Sequence, residues 1–187
     1  EQAFDGSEAS GDASDPGFED RYIRETMFGG TFGAFRTTGC HFFNPDHPTY
    51  LRIAAISAVR NRPDRVGMTL RRGRQYLRET SFLGRPFSLP GPGELIAWSR
   101  VQHTQEVLVV LNTHGAEPRG AEVTVDAGLH PHGSVMTFLY RSDWSDADLK
   151  SAALGSPPPE QAEVRHANGR ATVLVDLPPA GMAILAE

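Results

Sequence analysis

The sequence predicts a mostly β chain: an antiparallel β-sandwich of about eight strands, preceded by a long loop and one α-helix. Three observations carry this. Two apolar, β-branched runs, Leu95 to Val101 and Val107 to Leu111, are separated by five polar residues, the pattern of adjacent antiparallel strands. Further short apolar runs follow at Glu122–Asp126, Ser134–Tyr140, Glu163–His166, Arg170–Leu177 and Met182–Leu185. Asn168-Gly169, between two of these, is a two-residue hairpin signal. In the first run Leu95, Ala97 and Ser99 alternate with the bulkier Ile96 and Trp98, and Trp98 is expected in the core. The second run, VLVVL, does not alternate, as in a strand covered on both faces.

Composition sets limits on function. Of 187 residues, 18 are Lys or Arg and 23 are Asp or Glu, a formal net charge of −5. Nucleic acid needs a basic footprint, so it is excluded as a partner. A lone cysteine, Cys40, excludes an internal disulfide framework and leaves the compartment open. No apolar run approaches the ~20 residues of a membrane span. The chain opens on Glu-Gln-Ala-Phe without an initiator Met or signal peptide, which reads as the interior of something longer.

Taken in order, residues 5–20 (DGSEASGDASDPGFED) form a solvated acidic loop whose carboxylates fit no calcium-binding template. Residues 21–44 place five Phe among four Gly, too apolar to leave exposed and too interrupted for a regular element. Cys40, His41 and His47 lack a second ligand pair, so no metal is expected. A helix should then run from Pro48 to about Arg62, with Pro48 in the first turn and Asp46 or His47 as cap. Leu51, Ala54, Ala55, Ala58 and Val59 fall on one face and Ile53 and Ile56 on another, so this helix needs partners on two sides. From Met68 onward short strands are expected, beginning with a basic strand or hairpin, LRRGRQYLRE. Arg71, Arg72, Arg74 and Arg78 read as the solvated face of an edge strand rather than an anion site. Arg141 to Pro159 reads as a long polar loop.

The residues alone mark no chemistry. Nucleophile elbow, phosphate loop, dinucleotide fingerprint and zinc spacing are all missing, and no carboxylate sits in a local context that marks a general acid. Neither a cofactor nor a metal is expected.

The order of segments nevertheless resembles a known family. Glu1-Gln2, the stretch DRYIRETMFGG…FGAF…HFFN, a helix, LRRGRQYLRE, then GELIAWSR and VLVVLN, and a closing strand are similar to the C-terminal portion of the alpha-amylase family of glycoside hydrolases, family 13. DRYIRE and MFGG resemble a bacterial subgroup. Glu1 looks like the glutamate after the Tyr-Gly pair that ends the family's eighth barrel strand, although that pair is absent here. The resemblance implies that residues 1–64 are the last loop and helix of a (β/α)8 barrel and residues 65–187 the sandwich called domain C. It implies a parent enzyme acting on α-glucans or α-glucosides, with the barrel of the same chain as principal partner. The family's two catalytic aspartates and its acid/base glutamate all fall upstream of Glu1. No residue matches them, so this segment is expected to be inactive alone. Arg21, Arg24 and Phe28 are the candidate rim contacts to an oligosaccharide. The alternative is a free-standing sandwich that binds carbohydrate or protein, for which Trp144, in a polar stretch, is the candidate stacking platform.

Overall fold

The computed structural model describes residues 45–187. Compact grouping divides the chain into units 1–53 and 54–187, the division falling inside the first described helix, α1 (Pro48–Arg60). His47 caps α1, its Nδ1 accepting from the Thr49 amide at 3.2 Å. Within residues 54–60 Ala55 and Val59 are buried and Ile56 is half-buried.

The segment expected to begin the strands is helical first. Helix α2 (Arg65–Arg72) follows Asp64, whose side chain accepts from the Gly67 amide at 3.2 Å and pairs with Arg62 at 2.6 Å. Pro63-Asp64 was the signal for it: an aspartate N-cap satisfies one of the orphan amides of a first turn. Gly73 then turns the chain with no room to spare, since a Cβ there would lie 2.9 Å from the Val101 carbonyl oxygen and 2.7 Å from that of Thr69. The strand β1 (Arg74–Arg78) starts only after this point.

The remaining strands are β2 (Thr80–Phe82), β3 (Leu95–Gln102), β4 (Gln105–Asn112), β5 (Arg119–Val125), β6 (Val135–Arg141), β7 (Gln161–Glu163), β8 (Arg165–Ala167), β9 (Arg170–Leu177) and β10 (Met182–Ala186). They form two antiparallel sheets, a six-stranded one in the order β1-β3-β4-β10-β6-β7 and a four-stranded one in the order β2-β5-β9-β8. The chain is a mostly β sandwich, as the patterning predicts.

Three local differences from the expectation have physical reasons. Arg141–Pro159 holds a helix, α3 (Asp146–Ala153), capped by Ser145, whose hydroxyl accepts from the Asp148 amide. Glu163–His166 is two strands, not one: the chain changes sheet at Val164, which is fully buried and exchanges backbone hydrogen bonds with residues 133 and 134. The linker between β3 and β4 shrinks to His103-Thr104, because Gln102 and Gln105 still pair. Asn168-Gly169 does make the tight turn between β8 and β9, both residues at positive φ (52° and 76°) as a type I′ turn requires.

The core lies between the sheets. Leu95, Ala97 and Ser99 on β3, Leu108 and Val110 on β4, Ala121, Val123 and Val125 on β5, and Val173, Val175 and Leu177 on β9 are all buried. In β3 the small side chains thus face the core, and the bulky ones do not. Trp98 is half-buried and Ile96 is 37% exposed on the outer face. Strand β4 is covered on both faces, because α2 packs against β3 and β4 from outside.

Candidate functional site

One end of the sandwich interior is not apolar. Strand β4 alternates Glu106, Leu108, Val110 toward the core, so its first inward residue is a carboxylate with no exposed surface. Register puts Ser99 and Arg78 on the same face, since Ser99 pairs with Leu108 and Arg78 with Ala97. The Arg78 guanidinium forks across both partners, donating to Glu106 Oε1 at 2.7 Å and to Ser99 Oγ at 2.7 Å. Ser99 in turn donates a short hydrogen bond to Glu106.

The second Glu106 oxygen accepts from the Asp126 amide at 2.9 Å and faces His130 Nε2 at 3.1 Å. His130 sits in the β5–β6 loop, 2% exposed, with its other ring nitrogen 2.8 Å from Glu187 Oε2. Burial alone would raise the Glu106 carboxyl; hydrogen bonds from His130 and Ser99, the Arg78 charge and the Asp126 amide outweigh it and hold the pKa below the usual carboxylate value. Burial alone would lower His130; its hydrogen bonds to Glu106 and Glu187, and their charges, outweigh that and hold it above 6.5.

Serine, histidine and glutamate together invite comparison with a nucleophilic triad, and the geometry argues against one. An activated serine gives its proton to the histidine. Here Ser99 gives it to Glu106 and accepts from Arg78, and it is fully buried. The cluster holds strands together at a dry site and offers a reacting group no approach.

A second ionic group lies where β6 ends. Arg141, 8% exposed at its side chain, donates to both oxygens of Asp143 (3.0 and 2.9 Å), lies 3.3 Å from Glu160 and 3.7 Å from Asp176, and stacks on the Phe138 ring. The Arg141 hydrogen bonds hold the Asp143 carboxyl below its ordinary value.

Trp144 belongs to this second group. Its indole Nε1 donates to Glu160 at 3.1 Å, its ring meets Tyr140 edge-on, and the residue is buried. A sugar needs an exposed ring face, so the expectation of a stacking platform at Trp144 is corrected: a polar sequence neighbourhood concealed a core tryptophan. Arg21, Arg24 and Phe28 lie outside the described residues.

The basic run also divides its roles. Arg71 reaches back to the carbonyls of Arg60 and Arg62, Arg72 ends α2, Arg74 is exposed on the edge strand and Arg78 is committed to Glu106. Only Arg74 keeps the solvated edge-strand role expected of all four.

Local sequence missed Glu106, Ser99 and His130. The period-2 walk back from Val110 would have put Glu106 indoors; nothing local joins it to His130.

Among the described residues the larger cavities are surface grooves. One of about 380 Å³ lies between α2 and the β3–β4 turn, lined by Arg65, Met68 and Gln102–Gln105. Another, of about 350 Å³, lies on the outer face of the four-stranded sheet beside Phe87, His132, His166 and Arg170. Among the described residues no cluster of histidine, cysteine or carboxylate side chains is placed to hold a metal.

No family model matches the chain, and no curated protein matches it. Among solved structures, the crystal structure of alpha-amylase from H. orenii is similar over 89% of this chain at 14% sequence identity, with a TM-score of 0.46. The chain spans 28% of the length of that protein. At that identity and score the similarity decides neither family nor activity.

Proposed function

We propose that this chain is the C-terminal segment of an alpha-amylase-family glycoside hydrolase or transglycosylase acting on α-glucans or α-glucosides. Its role is to stabilise a catalytic barrel supplied by residues upstream of Glu1, and it is not catalytic by itself. The observation that carries the reading is the placement of the most specific matching segments. GELIAWSR and VLVVLN supply β3 and β4, paired in register from Leu95–Asn112 to Gln102–Gln105 inside the larger sheet of a sandwich.

Two further points support it. A retaining glycosidase needs two carboxylates across a substrate cleft, and among the described residues the one buried carboxylate, Glu106, is held by Arg78 and His130. Arg21, Arg24 and Phe28 are the residues we assign to the cleft rim, by resemblance. The alternative of a sugar-binding sandwich loses its platform with the burial of Trp144.

The test is the reading frame and the activity it encodes. The frame is expected to continue upstream through roughly 250 residues of alternating strands and helices, the size of such a barrel. That longer protein should cleave or transfer α-glucosyl units, the 187-residue chain should release no sugar from maltooligosaccharides, and deleting residues 65–187 should lower the thermal midpoint of the longer protein. A start codon near Glu1 would sink the proposal. So would glycosidase activity in the 187-residue chain.

A further inference from the structure

Within the Glu106 cluster one side chain has surroundings that fix its protonation state by geometry, and His130 is that group. Both ring nitrogens face carboxylate oxygens, Nε2 that of Glu106 and Nδ1 that of Glu187. An ionised carboxylate only accepts, so satisfying both contacts requires both nitrogens to donate, which an imidazolium does and neither neutral tautomer can. The carboxylates arrive from different places: Glu106 from the start of β4, Glu187 from the residue after β10.

The same residue is tied through its backbone. The His130 carbonyl accepts from His166 Nε2 at 2.7 Å, and His166 stands on β8 of the smaller sheet, its own amide donating to His132 Nδ1 at 3.0 Å. One residue thus links β4 and the end of β10, both of the six-stranded sheet, to the four-stranded sheet.

We propose that His130 is a proton-operated latch, closing this end of the sandwich while protonated and releasing Glu187 and the β5–β6 loop when it loses its proton. Several charged and titratable groups face it. Glu106 is shared with Arg78, Glu187 is half exposed, His166 and His132 lie on the backbone side, and the Asp126 carboxylate is turned away onto the Gly128 amide. When the proton leaves, Arg78, Ser99 and the Asp126 amide still satisfy Glu106. Glu187 loses its only buried cation among the described contacts, and it is the side that opens.

The sign follows from linkage. A histidine that binds its proton more tightly folded than unfolded contributes fully below about pH 6.5, and its contribution disappears as pH rises through the folded value. Release therefore belongs to the neutral-to-alkaline side, and it does not depend on whether a barrel precedes the chain.

The experiment uses the 187-residue chain. Long-range proton–nitrogen correlation spectra should show both His130 ring nitrogens predominantly protonated at pH 6.5, with a titration midpoint above that value. Amide exchange at residues 126–130 and 182–187, corrected for the intrinsic effect of pH, should accelerate as the pH rises through that midpoint. In Glu187→Gln, a mild change at a half-exposed position that spares the buried pair, the midpoint should fall and the acceleration shrink. His130→Gln should exchange fast at every pH if it folds. A predominantly bare ring nitrogen at pH 6.5 overturns the latch, as does a midpoint or an exchange profile that Glu187→Gln leaves unmoved.

Discussion

The two ionic groups of the sandwich invert one another. Around Glu106 a single carboxylate without exposed surface is neutralised by two cations, Arg78 and His130. Around Arg141 a single guanidinium is surrounded by three carboxylates whose side chains are 36%, 41% and 82% exposed. In both, short charge-assisted hydrogen bonds do the joining. What separates them is the fate of the survivor when one partner is removed: the acids around Arg141 fall back on water, and Glu106 has none. Stability in such groups is set less by the number of ion pairs than by whether the group left behind can be hydrated.

Mutating each centre tests that difference, and the largest effect should come from the inner group. Arg78→Met leaves Glu106 buried with one cation, and urea unfolding should report a loss of about 3–5 kcal/mol. Arg141→Met frees three hydrated acids, so the same measurement should report only about 1–3 kcal/mol, the value of a few charged hydrogen bonds and the Phe138 contact. Equal losses would break the comparison. Trp144→Phe removes the indole bond to Glu160 and leaves a small void where the second ring packed, and about 1–2 kcal/mol should go. The exposed pair Arg165–Glu163 sets the lower end: Glu163→Gln should change the unfolding free energy by no more than about 0.5 kcal/mol.

Acid sharpens the contrast. Glu106 and Asp143 both have folded pKa values held below their ordinary 4.5 and 3.8. Each therefore contributes stability that is fully present above those values and lost as pH falls through the lower, folded ones. Measured as unfolding free energy against pH, the wild-type chain should lose stability below about pH 4.5. Glu106→Gln should flatten that decline more than Asp143→Asn does. The reverse order would mean that the exposed rim, not the dry cluster, dominates the acid response.

Much of this fold was legible because most strands carry their burial in their own pattern. Ala171, Val173, Val175 and Leu177 of β9 are buried at the period of a strand, although Thr172 between them is buried too, and Asn168-Gly169 announces its turn. The failures were of a different kind. Met68, Leu70, Arg71 and Arg72 are themselves good helix formers behind the Asp64 cap, and the expectation of a strand let the strand that follows override both signals. Ile96 and Trp98 outweigh Leu95, Ala97 and Ser99 in size, yet the smaller set faces inward, because that face must accommodate Arg78 and Glu106. Side-chain bulk alone does not choose the buried face when a buried ion pair competes for the space. The cluster itself was illegible for a simpler reason: Arg78, Glu106, His130 and Glu187 are far apart in sequence and meet only once strand register is fixed.

The position of β10 has a consequence for how the molecule comes into being. It is the last of the described strands in sequence, yet it lies between β4 and β6 near the middle of the larger sheet. While a ribosome is still adding residues 182–186, the nascent chain holds β1-β3-β4 on one side and β6-β7 on the other with a missing rung between them. Two long unpaired edges, of the kind that recruit strands from other molecules, stay open until those residues have been made. Pairing across such sequence separations is slow. The sandwich should therefore close late and all at once, and chains cut short before Met182 should be found with chaperones or in aggregates, not as a partly folded sheet.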